Sequence, residues 1–286
     1  MPQLHENAAI TAQDVADGLS LFLVGLFKKV ALADYLALYV AKVYDSPGNA
    51  QSPALVLASV AFAWQIYFDF SGYTDMARGV ARLLGIRLML NFNNPYMATG
   101  LADFWRRWHI SLSTWFRDYF YIPMGGNRKG EFNTYRNMCL TMVISGLWHG
   151  ATWNFVIWGA LHAAYRVLTR SLESSRFYLE RVPTFVKQLF VFALVTFAWI
   201  FFRARTLGDA WTIVKRIFTS GWSDPACPVL ILALIASVWL YQVLYESRLR
   251  WTLRPAPVRV GLVVLMVLYL VVMRPAGIQE FIYLQF

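Results

Sequence analysis

The stretch SGLWHGATWNF, Ser145 to Phe155, sets one histidine, His149, in the least charged part of the chain. No Lys, Arg, Asp or Glu occurs from Asn137 to Tyr165. Ionisable groups at membrane depth are costly and usually serve function. A buried imidazole stays neutral, so it can accept a proton as a general base must. A structural reading stands beside this one: a neutral ring bonded to a backbone carbonyl freed by the flanking Gly146 and Gly150. Ser145 precedes His149 by four residues, so the two share a helical face and a nucleophile–base pair is open to them. No third, orienting acid lies nearby in sequence.

Two other histidines and one acidic cluster add to the list. His109 lies in RRWHISLS, directly after Arg106, Arg107 and Trp108. At an interface such a ring is commonly just solvated. His162 shares the uncharged run of His149 but falls on a different face of a straight helix. These three histidines with Asp69 contain no closely spaced ligand pair, so no metal site is expected. The cluster DFSGYTD carries Asp69, Ser71, Tyr73 and Asp75. It reads either as a helix end, with Asp69 or Ser71 capping the next segment, or as a polar site.

The elements that must position these groups are apolar. The hydrophobic fraction is 58% and the mean hydropathy is +0.45. Several charge-poor runs approach the ~20 helical residues that cross a bilayer core of about 30 Å. The expected fold class is all-α: a polytopic integral membrane protein, with residues 1–286 as a single membrane domain and the lipid bilayer as a partner. The net charge of +10 fits Arg and Lys at membrane interfaces and in loops better than a nucleic-acid partner. Cys139 and Cys227 are too far apart for a CxxC or thiolate metal spacing. The N-terminal stretch MPQLHENAAITAQDVADG has no basic region or small-residue cleavage site, so no signal peptide is expected.

Thr11 with Asp14 marks a helix start. Leu19 to Tyr44 is apolar but cut by Lys28, Lys29 and Asp34, which predicts two short segments or one bent helix. Ala54 to Phe68 reads as a span ending at Asp69, with residues 71–90 as a separate amphipathic segment. NFNNPY, Asn91 to Tyr96, reads as irregular. In Leu101 to Phe120, the residues Leu101, Trp105, Trp108, Leu112, Trp115 and Tyr119 form one helical stripe, with Asp103, Arg106, Ser113 and Arg117 opposite. A basic, Trp-rich helix of this kind suits a membrane interface. Asn137 to Tyr165 would reach roughly 40 Å as one helix, so a tilted or broken helix is expected, with the break near His149. Gln188 to Phe202, Pro228 to Tyr245 and Val258 to Met273 are further spans, and Leu207 to Phe218 is amphipathic. Lys187 and Arg203 flank a span and can snorkel. The positive-inside rule gives no orientation from the loops around Pro228–Tyr245.

The segments YFDFSGYTDMARGVARLLGI, NFNNPY, DFWRRWHISLSTWFRDYFYIPMGGNRKG and SGLWHGATWNFVIWGALH occur in this order at close intervals. Together they resemble the membrane-bound O-acyltransferase (MBOAT) family, and within it the bacterial alginate O-acetyltransferase branch. GLSLFLVGLFKKVALAD and the terminal FIYLQF share the resemblance. It implies an MBOAT-type helical bundle with interfacial and broken helices, in the bacterial inner membrane, and further helices upstream of Pro2. It implies His149 as the catalytic residue and His109 as the second motif histidine. Asp69, Tyr73, Arg106, Arg107 and Trp148, in or beside the same motifs, are the expected substrate-binding residues, the two arginines for the phosphates of a donor or for lipid headgroups.

The resemblance further implies no resident cofactor, acetyl-CoA as acyl donor, a periplasmic SGNH-type acetyltransferase as partner, and links to polysaccharide export machinery. The polymer expected is an exported polysaccharide such as alginate. Two other readings stay open on sequence: a proton-coupled transporter built on His149 and Asp69, and an inactive fragment of the family.

Overall fold

The structure, a computed structural model, describes residue 3 and residues 9–222, 228–253 and 255–272. Cys227 and the FIYLQF terminus lie outside the described residues. Among the described residues every regular element is helical: α1 Ala12–Phe27, α2 Asp34–Tyr44, α3 Ser52–Leu83, α4 Leu101–Arg107, α5 Ile110–Phe116, α6 Gly130–His149, α7 Trp153–Ser174, α8 Thr184–Arg203, α9 Leu207–Thr219, α10 Val229–Glu246 and α11 Ala256–Val272. Of these, α3 and α8 are both long and apolar enough to cross a membrane, and α10 and α11 hold shorter apolar helices. Two compact units form, one within Met1–Tyr39, Trp64–Leu90 and Pro228–Gln285, the other within Val40–Ala63 and Asn91–Cys227.

The first unit is organised by buried charge. α1 begins where Thr11 and Asp14 predict, in a reciprocal capping box. The apolar run through Lys28 and Lys29 neither breaks nor continues as plain α-helix. It widens into a π-helical turn, Lys28–Ala33, before α2. A π-turn carries an extra residue per turn and is a common local solution at special sites. Lys29 Nζ reaches Asp34 at 2.9 Å and Asp69 at 2.6 Å, while Lys28 Nζ reaches Asp75 at 2.7 Å. Arg78 also holds Asp75, at 3.1 Å.

These pairs explain a departure from the sequence reading. No helix end occurs at Asp69: α3 runs unbroken from Ser52 to Leu83. Asp69 and Ser71 are interior residues, and neither caps a following segment. A carboxylate can sit inside an apolar helix when a cation from a neighbouring segment neutralises it. The approach is made close by glycines, since a Cβ on Gly25 would stand 2.5 Å from the Gly72 carbonyl oxygen, and one on Gly72 2.7 Å from that of Gly25. Small residues at such contacts let helix backbones come together.

In the second unit, the uncharged run 137–165 is broken at the expected place, but the break is a full reversal. α6 ends at His149, Gly150–Thr152 turns the chain, and α7 returns along α6. Gly146 faces the Phe155 carbonyl, and a Cβ on Gly159 would lie 2.5 Å from that of Met142. The Asn154 side-chain amide donates to the Ala204 carbonyl at 2.7 Å, which fastens the start of α7 to the end of α8. Lys187 is buried and donates to the Leu179 carbonyl at 3.1 Å.

The predicted single helix over 101–120 is also split. α4 ends at Arg107, His109 takes a left-handed conformation with φ 40°, and α5 begins at Ile110. A π-helical turn, Arg117–Tyr121, follows. The helical stripe therefore divides: Leu101 and Trp108 are buried, whereas Trp115 and Tyr119 are 51% and 70% exposed.

Replacing Lys29 by Met would leave Asp34 and Asp69 buried without their cation. Breaking a buried ion pair costs about 3–5 kcal/mol. The Lys29→Met protein is expected to unfold at clearly lower temperature in detergent, followed by tryptophan fluorescence. Parent-like unfolding would show that the cluster carries no stability.

Candidate functional site

Helices α4 to α7 line a half-open cavity of about 310 Å³. Its α6 wall is the row Met138, Thr141, Met142, Ser145 and His149. These residues recur every three or four positions, so they share one face of the helix. At 1.5 Å per residue, that wall runs about 16 Å from Met138 to His149. Opposite stand Trp105, Trp108, His109, Leu112, Ser113 and Phe116, with Arg117, Tyr121 and Arg166 completing the lining. Both motif histidines therefore open onto the same space, which the sequence could not show.

His109 owes its position to a local break that the NFNNPY segment supports. A helix break frees backbone groups that must find partners. Asn91 supplies them: its carbonyl accepts from Ile110 N–H and its side-chain oxygen from Ser111 N–H, each at 3.0 Å. Asn93 N–H donates to the Arg107 carbonyl at 3.0 Å. Phe92 lies parallel to the His109 ring at 6.4 Å and edge-on to Trp108 at 5.0 Å. Among the described residues, His109 and Asn94 are the non-glycine positions with positive φ. Left-handed backbone is sparsely used outside glycine and costs of order 1–3 kcal/mol, which surrounding structure must hold in place. Burial pushes the His109 imidazole down from 6.5 to about 4, so the ring is neutral at pH 7.

His149 sits at the C-terminal end of α6, where the chain turns. Its ring is caged by others: Trp158 at 5.3 Å, Phe202 at 5.1 Å and Phe155 at 6.2 Å between centroids. Ser145 is buried on the same face and lines the same cavity. His162 is fully buried and stands away from the lining, stacked edge-on against Trp158 at 4.8 Å and Trp105 at 5.0 Å. Among the described residues, no group of three or more His, Cys, Asp or Glu is placed to hold a metal ion.

The other expected site residues are spread out. Trp148 is 54% exposed and touches both the His109 and His149 rings, at 6.3 Å and 5.0 Å. Arg106 is mostly exposed, and both it and Arg107 pair with Asp103, at 3.6 Å and 3.1 Å. Neither arginine lines the cavity. Asp69 and Tyr73 belong to the first unit, where Asp69 is held by Lys29 and Tyr73 is 51% exposed. The cations that do line the cavity are Arg117 and Arg166, which the sequence does not mark as binders. The signal was present only in part: Arg117 lies two helical turns beyond His109, and Arg166 one turn beyond His162.

An all-helical chain with apolar spans and a histidine-lined cavity between its helices defines a membrane protein with a pocket-like site. Its sequence matches the profile of the membrane-bound O-acyltransferase family over residues 7–208. It is 44% identical over 214 residues to a probable alginate O-acetylase of Azotobacter vinelandii, covering 74% of this chain and 42% of that protein. It is 44% identical over 211 residues to the Pseudomonas aeruginosa protein of the same description, covering 74% and 40%. A peptidoglycan O-acetyltransferase of Helicobacter pylori is 41% identical over 218 residues, covering 75% and 41%. The chain belongs to the membrane-bound O-acyltransferase family, and the matched part spans about two fifths of the length of these relatives.

The neutral, left-handed His109 can be tested directly. Its folded-state pKa lies below the unfolded value, so its contribution to stability is complete above pH 6.5 and is lost as pH falls from 6.5 toward about 4. Asparagine tolerates left-handed backbone. His109→Asn is therefore expected to fold at pH 7 and to show a smaller drop in Tm between pH 7 and pH 5 than the parent. An equal drop in both would mean that His109 is not buried in its neutral form.

Proposed function

We propose that this chain forms the catalytic cavity of a membrane O-acetyltransferase that moves acetyl groups from cytoplasmic acetyl-CoA toward an exported polysaccharide such as alginate. The acetyl group passes outward through a periplasmic SGNH-type acetyltransferase that works with polysaccharide export machinery. The observation that carries this reading is the cavity itself. His109 and His149 stand at one end of the α6 wall, and Arg117, Tyr121 and Arg166 complete the lining. An extended pantetheine arm has the length to lie along such a wall, where Thr141 and Ser145 can meet its amides, bringing a thioester to the histidines. The acceptors named for the relatives, alginate and peptidoglycan, are both glycans with free hydroxyl groups.

The chemistry follows from the groups present. His149 takes the proton from an acceptor hydroxyl as its oxygen attacks the thioester carbonyl carbon. The C–S bond breaks, and the proton passes from His149 to the leaving thiolate. A positioned general base contributes about 10²–10⁴-fold to such a step. His109, neutral and fixed by Asn91 and Phe92, orients the reacting groups. Trp105, Trp108, Leu112 and Phe116 keep the cavity apolar and limit competing attack by water.

Charge supports entry of the donor from the cytoplasm. Because α7 returns along α6, the start of α6, the end of α7 and the start of α8 lie at one end of the unit. That end carries Arg128, Lys129, Arg136, Arg166, Arg170, Arg176, Arg181 and Lys187, while the other end, where Asn154 bonds Ala204, carries Arg203 and Arg205. The more basic end faces the cytoplasm, which supports reading this as a multi-pass protein of the cytoplasmic membrane with His149 reached from the opposite end.

His149→Ala is expected to reach the membrane at parental levels and to lose polymer O-acetylation by about 10²-fold or more. Parental amounts of O-acetyl ester in that strain would remove His149 from the mechanism. Ser174 and Ala151 are exposed at opposite ends of α7 and the turn before it. A cysteine at Ser174 should react with an impermeant thiol reagent only after cell lysis, and one at Ala151 in intact spheroplasts. The reverse pattern would invert the orientation.

A further inference from the structure

Arg166 is an unusual member of the cavity wall because it is charged, largely buried and held in place. Its side chain is 16% exposed, and Nη1 donates to Glu173 Oε2 at 2.9 Å. A guanidinium has five N–H donors in a planar fork, so this bond leaves most of them for a ligand. The other oxygen of Glu173 is also engaged: Oε1 accepts from the Leu101 backbone N–H and from Thr169 Oγ1, each at 2.8 Å. Leu101 is the first residue of α4, the helix that leads to His109. One carboxylate therefore fixes both a cavity cation and the start of the histidine-bearing segment.

The surroundings of Arg166 favour an anion. Arg170 lies one turn further along α7, over the Tyr135 ring at 5.2 Å, and its Nη1 is buried with no hydrogen-bond partner. Arg166 and Arg170 both bear electrostatically on Tyr121, another residue of the lining. Arg170 does not line the cavity, so its part is to add positive charge beside Arg166. Arg117 also lines the cavity, but it is engaged by Asp118 at 2.7 Å and 3.1 Å and is 59% exposed. With Gly159 facing Met142, counting along the hairpin places Arg166 beside the N-terminal half of α6, about four turns from His149.

We infer that Arg166, set in position by Glu173, recognises the phosphate-bearing end of the pantetheine arm of the acyl donor. The inference rests on the acyl-transfer reading above and adds to it which residue selects the donor. Arg166 is a specificity-determining residue that touches the donor, and Glu173 is a positioning residue that acts through it.

The test is steady-state transfer by the full chain in nanodiscs. The donors are acetyl-CoA and acetyl-pantetheine, which carries the same thioester without phosphate. Hydrogen bonds to charged groups contribute about 1.5–3 kcal/mol, equivalent to roughly 10–150-fold. Arg166→Gln is expected to raise KM for acetyl-CoA at least about tenfold on that scale, with kcat within about threefold and KM for acetyl-pantetheine unchanged. Glu173→Gln keeps acceptors for Leu101 and Thr169 but loses the charge that holds Arg166. It should raise KM for acetyl-CoA in the same direction with KM for acetyl-pantetheine unchanged, and the double variant should be no worse than Arg166→Gln alone.

An unchanged KM for acetyl-CoA, or an equal rise for both donors, would overturn the assignment of Arg166 while leaving acyl transfer intact. Additive effects in the double variant would overturn the role of Glu173. Failure of the parent to transfer acetyl from either thioester would instead overturn the acyl-transfer reading, and this inference with it.

Discussion

The close contact of α6 with α7 at Gly146 and Gly159 is the constraint on which the site depends. Side chains there would collide with backbone oxygens of the facing helix, so only glycines allow the two helices to lie this near. That contact turns one long uncharged run into a hairpin. The hairpin puts His149 at a chain reversal, lays the α6 face from Met138 to His149 along a cavity, and sets Arg166 in the same wall. Without the reversal, a helix continued through Gly150 would carry the later residues away from the cavity.

The cavity needs a second wall, and that wall depends on a different solution to the same problem. A helix interrupted inside a protein exposes N–H and C=O groups that must be paired. At His109 the pairing comes from Asn91 and Asn93, from a segment with no regular structure of its own. The irregular NFNNPY stretch is thus a support for the second cavity wall. It holds a histidine in left-handed backbone between Phe92 and Trp148. Strain of this kind survives where packing over-determines it, and such places are often functional.

Buried charge is handled differently in the two units. In the first, Lys28 and Lys29 meet Asp34, Asp69 and Asp75, and the pairs let α3 pass unbroken through a sequence that carries acidic residues at its centre. In the second, Arg166 is balanced by Glu173 while still reaching the cavity. The first arrangement closes on itself and serves the fold. The second leaves guanidinium donors facing the cavity.

The sequence by itself determined the helical membrane class, the start of α1 at Thr11, the limits of α8 to α11 within a few residues, and the family through its ordered motifs. It also singled out His149 and His109, because an imidazole in an apolar run stands out by type alone. These features are local or are carried by composition. Tertiary structure decided the rest. A break near His149 was legible from Gly146 and Gly150, but whether it bends or reverses the chain depends on what Gly159 faces. The continuity of α3 through Asp69 depended on Lys29, forty positions away. Nothing in the sequence sets Arg166 and Glu173 apart from other charges, whereas Arg106 and Arg107 stand in a family motif. Which cations face a cavity is set by how helices pack together, and the periodicity of one helix carries no record of its neighbours.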